Sequence, residues 1–535
     1  MTDPGRAPTI AQIPLNALAA GGLAALTEAV AASDADYVLP SPADLRLPKD
    51  GLATMAVAAA EQPDAAAFRL PVKGLTPDSL WRGRRCRSHE RNLETLRFAD
   101  IIPPGALLVR REALLAALVG LPPGLGDDAW RVLCRRIARA GRIAELDLAV
   151  RRSGRIEGER ASPAFAPLRP TRVLVLGQIE VSTSLYFDVL DAAPEISVDF
   201  RPLTRLALDA PVLAGADLVI LVRELHRFWD EGVISFLDAA GVPYVWFTDD
   251  NFQVLRAEGE ASAFYALPRM RAALAKAAAV WTSTEALAAA HLWLHPQVEV
   301  WKPALDPYLR QALPGSAGPL TIALAGGDFR LSGLPGAPLD QLRRIGDGLR
   351  LVVTPAAAKM LRPALPGAQI IVPPPERSFR QFIRAWRRFA PDILLHPAGA
   401  TANTPFKTPT AAIVAGYLGA IPVVADEPAY HGWGETEGVL RLGADGDGIA
   451  AAALQVRQAA WRTEMERRLT EALTSRFGED DRIARLRKLM RPTPKRNPEA
   501  VAQNILDSPG FARAHAARRM IRLARPLSDR VRPPE

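Results

Sequence analysis

The sequence predicts an α/β chain built on open parallel sheets, and three observations predict it. Short apolar runs such as Val173–Leu176, Leu218–Val222, Val242–Phe247, Thr321–Leu324 and Ile421–Ala425 alternate with stretches of helical pattern. The runs are apolar throughout, as strands covered by helices on both faces must be. Glycines stand where helices or strands stop, at Gly177, Gly241 and Gly419.

The length, 535 residues, suggests roughly three or four domains. Hydrophobic content of 49% and charged content of 23% are those of a chain that buries cores. No run of about 18 apolar residues occurs, so no membrane span is expected. The start, MTDPGRAPTI, has no basic segment followed by an apolar one, so no signal peptide is expected. Cys86 and Cys134 are the only cysteines, which argues against a disulfide framework and a cysteine metal site and suits a reducing, cytoplasmic compartment. The histidines show no metal-ligand spacing. Net charge is +8, yet Arg482 to Glu535 holds 14 Lys and Arg against 4 Asp and Glu, so the body is slightly acidic.

Residues 1–165 read as one unit. Ala19 to Ala32 is helical in composition, Asp36 to Leu39 is a short strand, and Pro40, Ser41 and Pro42 break regular structure. Asp50 to Glu61 is the next helix, Ala106 to Val109 a buried strand and Arg110 to Val119 a helix. A turn ends at Gly126-Asp127-Asp128, after which Asp128 to Ala140 forms a helix and Ile143 to Val150 a closing strand. The basic run Trp81 to Arg87 reads as a solvated loop, with a contact to phosphate or lipid head groups as the alternative, and residues 153–170 read as a linker.

Residues 171–310 read as a first Rossmann-like domain. Val173–Leu176 ends in Gly177, Leu185 to Leu190 is helical, and Leu218–Val222 is a second buried strand. Helix Val233 to Ala240 stops at Gly241, and Val242–Phe247 ends at Thr248-Asp249-Asp250-Asn251. Ligands of open parallel sheets bind beyond the carboxyl ends of the strands. Asp249 and Asp250 therefore either face a cleft or cap the next helix. Helix Ala272 to Ala279, strand Val280 to Thr282, a helix from Ser283-Thr284-Glu285 and strand Val298 to Trp301 complete the domain.

Residues 318–480 read as a second such domain. Thr321–Leu324 runs into Gly326-Gly327, and glycine permits close backbone approach. Leu349 to Val353, Ile370 to Pro375 and Asp392 to His396 are strands, and Phe379 to Phe389 is a helix. Asn403 to Ala425 then reads as loop, helix, turn and strand. Thr408 caps the helix, Pro409 suits its first turn, and Ala411 to Leu418 is its body. A lysine, Lys407, beside a helix start favours an anion such as a diphosphate; the local pattern by itself reads more simply as a crossover helix with a solvated lysine. Asp447 to Lys488 is helical and is expected to pack back on the first domain. Residues 490–535 are a basic tail. Phe511 to Arg525 is either an amphipathic helix for an anionic membrane surface or a solvated tail. It lacks aromatic interleaving, so no nucleic-acid partner is expected.

The string Asn403, Phe406-Lys407-Thr408, Gly419-Ala420-Ile421-Pro422-Val423-Val424 resembles the donor-site motif of group 1 glycosyltransferases, nearest their polysaccharide-synthesis branch. Asp249-Asp250, Ser283-Thr284-Glu285, Lys302-Pro303 and Asp392 to His396 follow that family's order. The N-terminal part resembles a shortened, degenerate family 2 glycosyltransferase through Asp36 to Asp44, Arg110-Arg111-Glu112 and Gly126-Asp127-Asp128-Trp130. The resemblance implies a GT-B-like pair of Rossmann-like domains preceded by a partial GT-A-like α/β domain. It implies a retaining, metal-independent sugar transfer from a nucleotide-sugar to a glycan or lipid-linked acceptor in surface polysaccharide synthesis, peripheral at the inner membrane face. Gly326, Gly327, Asn403, Lys407 and Thr408 would hold the donor, Asp249 and Asp250 would face the cleft, and Asp128 would activate an acceptor, although Asp127 and Asp128 also suit a helix cap. Three positions depart from the motifs. Val414 and Phe406 stand where the group 1 family has glutamates. Pro42 replaces the first aspartate of the metal pair and leaves Asp44, a poor site for a divalent ion. A non-catalytic binding or scaffold protein is the alternative those departures leave.

Overall fold

The structure is a computed structural model that describes residues 7–14, 22–41, 45–63, 65–70, 72–73, 107–119, 133–134, 136–137, 142–146, 148, 150–152, 171–177, 181–187, 190, 196–201, 203, 206–305, 318–324, 326–346, 348–373, 379–443, 448–478, 481–490 and 497–513. Two compact units emerge: residues 1–172 with 190–200, and residues 173–189 with 201–535.

In the first unit, strands β1 (Ile10–Pro14), β2 (Tyr37–Ser41), β4 (Ala65–Arg69), β6 (Leu107–Arg110) and β7 (Arg142–Glu145) form one sheet in the order β1-β2-β6-β4-β7. A small second sheet holds β3 (Leu45–Arg46), β8 (Val150–Arg152) and β5 (Val72–Lys73). The larger sheet is mixed: β1 runs parallel to β2, and β6 runs antiparallel to both β2 and β4. Side chains of β2 alternate between faces, as the pleat requires. Val38 joins a core with Leu26, Val30 and Leu114 from helices Gly22–Ala31 and Arg111–Leu118. Tyr37 and Leu39 join another with Met55 and Ala58 from helix Gly51–Glu61. The single closing strand expected over Ile143 to Val150 is instead two strands, β7 and β8, in different sheets.

The second unit contains two parallel sheets. After β9 (Thr171–Gly177) comes β10 (Ile196–Arg201), most of which groups with the N-terminal unit. Then β11 (Leu218–Val222), β12 (Tyr244–Thr248), β13 (Ala279–Thr282) and β14 (Val298–Val300) extend the first sheet from β9, each parallel to the last. The second sheet is formed by β15 (Thr321–Leu324), β16 (Arg350–Val353), β17 (Gln369–Ile371), β18 (Ile393–His396), β19 (Ile421–Ala425) and β20 (Leu440–Leu442). Its order, β17-β16-β15-β18-β19-β20, is all parallel and reverses direction between β15 and β18. Both sheets are thus Rossmann-like, and their central strands are buried because helices cover both faces.

Several expected helices are displaced. The segment expected helical over Ala272 to Ala279 forms its helix one turn earlier, at Leu267–Leu274, with Pro268 in the first turn. Helix Leu185 to Leu190 is found at Val181–Phe187. The chain passes from the first lobe to the second between Trp301 and Leu320. It returns after helix Ala459–Phe477. Arg485 of helix Arg482–Leu489 donates to the Val300 carbonyl at 2.8 Å and pairs with Glu299. Helix Pro498–Leu506 packs against Leu206–Ala214, and Phe511 meets the Phe236 ring edge-on. Phe511, placed by sequence on a membrane-facing stripe, therefore lies against the first lobe's core; most of the amphipathic segment expected to Arg525 lies outside the described residues. Among the described residues no helix is long and apolar enough to cross a membrane.

Gly177 closes β9 with φ +125°, and a Cβ there would lie 2.6 Å from the Val222 carbonyl oxygen and 2.7 Å from the Phe228 ring. Its glycine is required by backbone conformation and strand packing, independently of any ligand. Gly177→Ala is expected to cost at least about 2 kcal/mol, seen as a lower midpoint in thermal denaturation; an unchanged midpoint contradicts this account.

Candidate functional site between the two lobes

The carboxyl ends of the strands in the second unit carry the side chains that link its two lobes. Strand β12 ends in Thr248 and delivers Asp249, Asp250 and Asn251, all buried. Neither aspartate caps the following helix, Phe252–Ala257. Asn251 does so, its side-chain oxygen accepting from the Gln253 and Val254 amides at 3.2 and 3.4 Å. That leaves both carboxylates to the cleft side.

Arg223 follows β11 in the left-handed region, with φ +56°, unusual for a residue with a side chain. Its backbone is pinned on both sides: its N–H donates to the Phe247 carbonyl at 2.9 Å, and its carbonyl accepts from Trp246 Nε1 at 2.7 Å. So held, its guanidinium grips Asp249 with two bonds of 2.6 and 2.7 Å and reaches Asp250 Oδ2 at 3.3 Å.

From the other lobe come Asn403 and Lys407. Lys407 Nζ and Asn403 Nδ2 both donate to Asp250 Oδ1. Asn403 Oδ1 accepts from the Asn251 amide at 2.9 Å, so one amide side chain satisfies both a carboxylate and a backbone N–H across the cleft. Thr284 Oγ1 donates to the Phe406 carbonyl at 3.1 Å, and the Ala402 amide donates to Glu258 at 3.1 Å. Two carboxylates thus face two cations, a balanced cluster that can be buried because each charge has a partner.

Burial would raise the Asp250 carboxyl, but Arg223, then Lys407 and its hydrogen bond, and the bond from Asn403 outweigh it and hold the pKa at about 2. Burial, then the Asp249 charge, pushes the Tyr186 phenol above its ordinary value, so the group stays neutral near pH 7.

Thr408 does not cap the helix. The helix is Thr410–Leu418, Pro409 occupies the cap position, and no side chain caps it. Thr408 Oγ1 instead lies 2.6 Å from the Tyr186 hydroxyl of the first lobe. The first-turn amide of Ala411 donates to the Tyr430 hydroxyl at 3.2 Å, so Lys407 rather than this amide is the group oriented toward the cleft.

Gly326 and Gly327 follow β15, beside the β15/β18 reversal where ligands of such sheets bind. A small cavity there is lined by Leu324, Gly326, Gly327, Arg330, Thr354 and Pro397. The turn also serves the protein's own side chains: a Cβ on Gly326 would lie 2.9 Å from Arg330 Cδ, and one on Gly327 2.8 Å from the Phe329 ring. Arg330 donates to the Pro397 carbonyl at 3.0 Å and pairs with buried Glu427 at 2.8 Å. Sequence reasoning missed Arg223, Asn251, Tyr186 and Glu427. Arg223 was open to detection as a charged residue directly after an apolar strand. Asp128 and Asp44 lie outside the described residues. Among the described residues no group of three or more His, Cys, Asp or Glu could hold a metal ion.

No protein-family model matches the sequence, and no curated protein matches it. Solved structures with some likeness include HepE of Anabaena in complex with UDP and glucose, at 13% identity and TM-score 0.41, covering 59% of this chain and 99% of that one. HepE in complex with UDP-glucose has 13% identity and TM-score 0.39 over 65% of this chain and 99% of its own. A variant of S. aureus TarM in complex with fondaparinux, alpha-GlcNAc-glycerol and UDP has 10% identity and TM-score 0.36, over 51% of this chain and 55% of that one. Likenesses this distant do not bear on the reaction.

Because the Asp250 pKa is depressed from 3.8 to about 2, its pairing contributes fully above the ordinary carboxyl value and is lost as pH falls through about 2. The separation of the lobes, measured by small-angle scattering, is expected to be constant from about pH 5 to 8 and to increase as acid approaches pH 2. Asp250→Asn is expected to lack that acid step.

Proposed function

We propose that the chain is a GT-B glycosyltransferase that takes a sugar from a nucleotide-sugar donor to a glycan or lipid-linked acceptor. The observation that carries this reading is the convergence of Lys407 and Asn403 from one Rossmann-like lobe on Asp250 from the other, beside the Asp249–Arg223 pair. The resemblance around Asn403 to Val424 assigns those positions to the donor side, and their geometry supports it. Lys407, partly exposed at the edge of the cluster, would neutralise the extra charge that develops on the diphosphate as its bond to the sugar breaks. Asn403 would bond a non-bridging phosphate oxygen, and Gly326 and Gly327 would border the donor beside the β15/β18 reversal. Thr408 would serve indirectly, its bond to Tyr186 setting the position of Lys407. Asp249 and Asp250 would orient the sugar hydroxyls. We read the transfer as retaining and metal-independent, and the protein as cytoplasmic and peripheral at the inner membrane face, in surface polysaccharide synthesis.

We read the N-terminal unit, over residues 1–165, as a shortened relative of family 2 transferases, with Asp128 as its remaining acceptor-side carboxylate. Support for that reading is β2, which leads directly to the Pro42–Asp44 position, with the antiparallel β6 beside it. A second reading, a non-catalytic glycan-binding scaffold, is favoured by one observation. Val414, where the resemblance implies a ribose-bonding glutamate, is a buried apolar residue of helix Thr410–Leu418.

The test is a screen of UDP-, GDP- and dTDP-sugars with nucleoside diphosphate release as readout, wild type against Lys407→Ala. The expected outcome is release with one donor and a loss of about 100-fold in the variant. Equal rates in both proteins would overturn the assignment of Lys407, and no release with any donor would favour the scaffold.

A further inference from the structure

We propose that Asp250 is a built-in anion that latches the two lobes together, and that a nucleoside diphosphate must displace it to reach Lys407 and Asn403. The second half of this statement rests on the donor reading given above; the latch itself rests on geometry alone.

The carboxylate of Asp250 is the only acceptor, among the described residues, shared by Lys407 Nζ and Asn403 Nδ2, two donors carried by the opposite lobe. Its chemistry is that of a phosphate oxygen: a delocalised anion receiving one ammonium and one amide N–H. A phosphate arriving at Lys407 therefore meets a position already filled. The exchange would be anion for anion, so Lys407 and Asn403 keep an anionic acceptor when one replaces the other.

Asp249 makes such an exchange feasible. It holds Arg223 through two short bonds, so Arg223 keeps a carboxylate partner when Asp250 turns away. Asp250 contacts Arg223 only at 3.3 Å. Lys407 is a quarter exposed, so its ammonium is open to solvent on one side and a ligand can approach it before the latch releases. The remaining cross-lobe bonds of the 399–409 segment are not ion pairs: Thr284 to the Phe406 carbonyl, the Ala402 amide to Glu258, the Asn251 amide to Asn403 Oδ1, and Thr408 Oγ1 with the Tyr186 hydroxyl. Each contributes about 1 kcal/mol, and the Lys407–Asp250 contact is the ion pair among the segment's cross-lobe contacts.

The test is hydrogen exchange of the 399–409 segment in the unliganded full chain, with titration calorimetry against UDP, GDP and dTDP. Asp250→Asn keeps the shape and one acceptor but removes the charge. It is expected to raise exchange in that segment about ten-fold and to bind a nucleoside diphosphate about ten-fold more tightly than wild type. Lys407→Gln breaks the same pair from the opposite lobe. It is expected to raise exchange equally while binding no more tightly than wild type. Unchanged exchange in both variants, each with a wild-type thermal midpoint, overturns the latch. Raised exchange with equal affinity in Asp250→Asn and wild type overturns the competition. Raised exchange with no binding of any of the three ligands by either protein supports the latch and counts against the donor reading.

Discussion

One carboxylate, that of Asp250, gathers charged and polar groups from both lobes of the second unit. It accepts from groups that lie more than 150 positions further along the chain, on a different sheet, while Arg223 on its own sheet steadies it. Buried charge is tolerated here only because the partners are complete, and removing one of them would leave its counterpart in a medium that solvates it poorly. The strained backbone of Arg223 is part of the same arrangement. A left-handed residue with a side chain persists where its surroundings over-determine it, and here two backbone bonds and two carboxylates do so.

The second lobe repeats the pattern on a smaller scale. Arg330 reaches from the turn after β15 to Glu427 after β19, and the same Glu427 oxygen accepts from the Gly399 amide at 2.9 Å. The segment that carries Asn403 and Lys407 is thus anchored at its start within its own lobe and at its end by Asp250 and Tyr186 in the other. Its position is set by long-range polar contacts, since it contains no regular element longer than the short turn Thr404–Phe406.

Much of the sheet architecture was legible because buried parallel strands are uniformly apolar, and Leu218–Val222 and Thr321–Leu324 coincide with their apolar runs. Helices rich in proline were harder to see. Leu206–Ala214 contains Pro211, and Pro355–Ala364 both begins with a proline and contains Pro363, so a rule that ends helices at proline hides them. At the site, residue types were legible but partners were not. A threonine before a helix is locally a cap, and Thr408 would have been one had Tyr186, 222 residues away in sequence, not claimed its hydroxyl. Arg223 escaped notice because its meaning lies in Asp249 and Asp250, which the spacing of residues along one strand does not reveal.

The double passage between lobes has a mechanical consequence. The chain leaves the first lobe after Trp301 and comes back through Arg482 and Arg485, which lie over the stacked rings of Trp281 and Trp301. Two tethers attached to neighbouring points behave as a door on a pair of pins. They permit swinging about the line that joins them and oppose sliding or full separation, so any gap that opens will be widest on the side remote from those tryptophans.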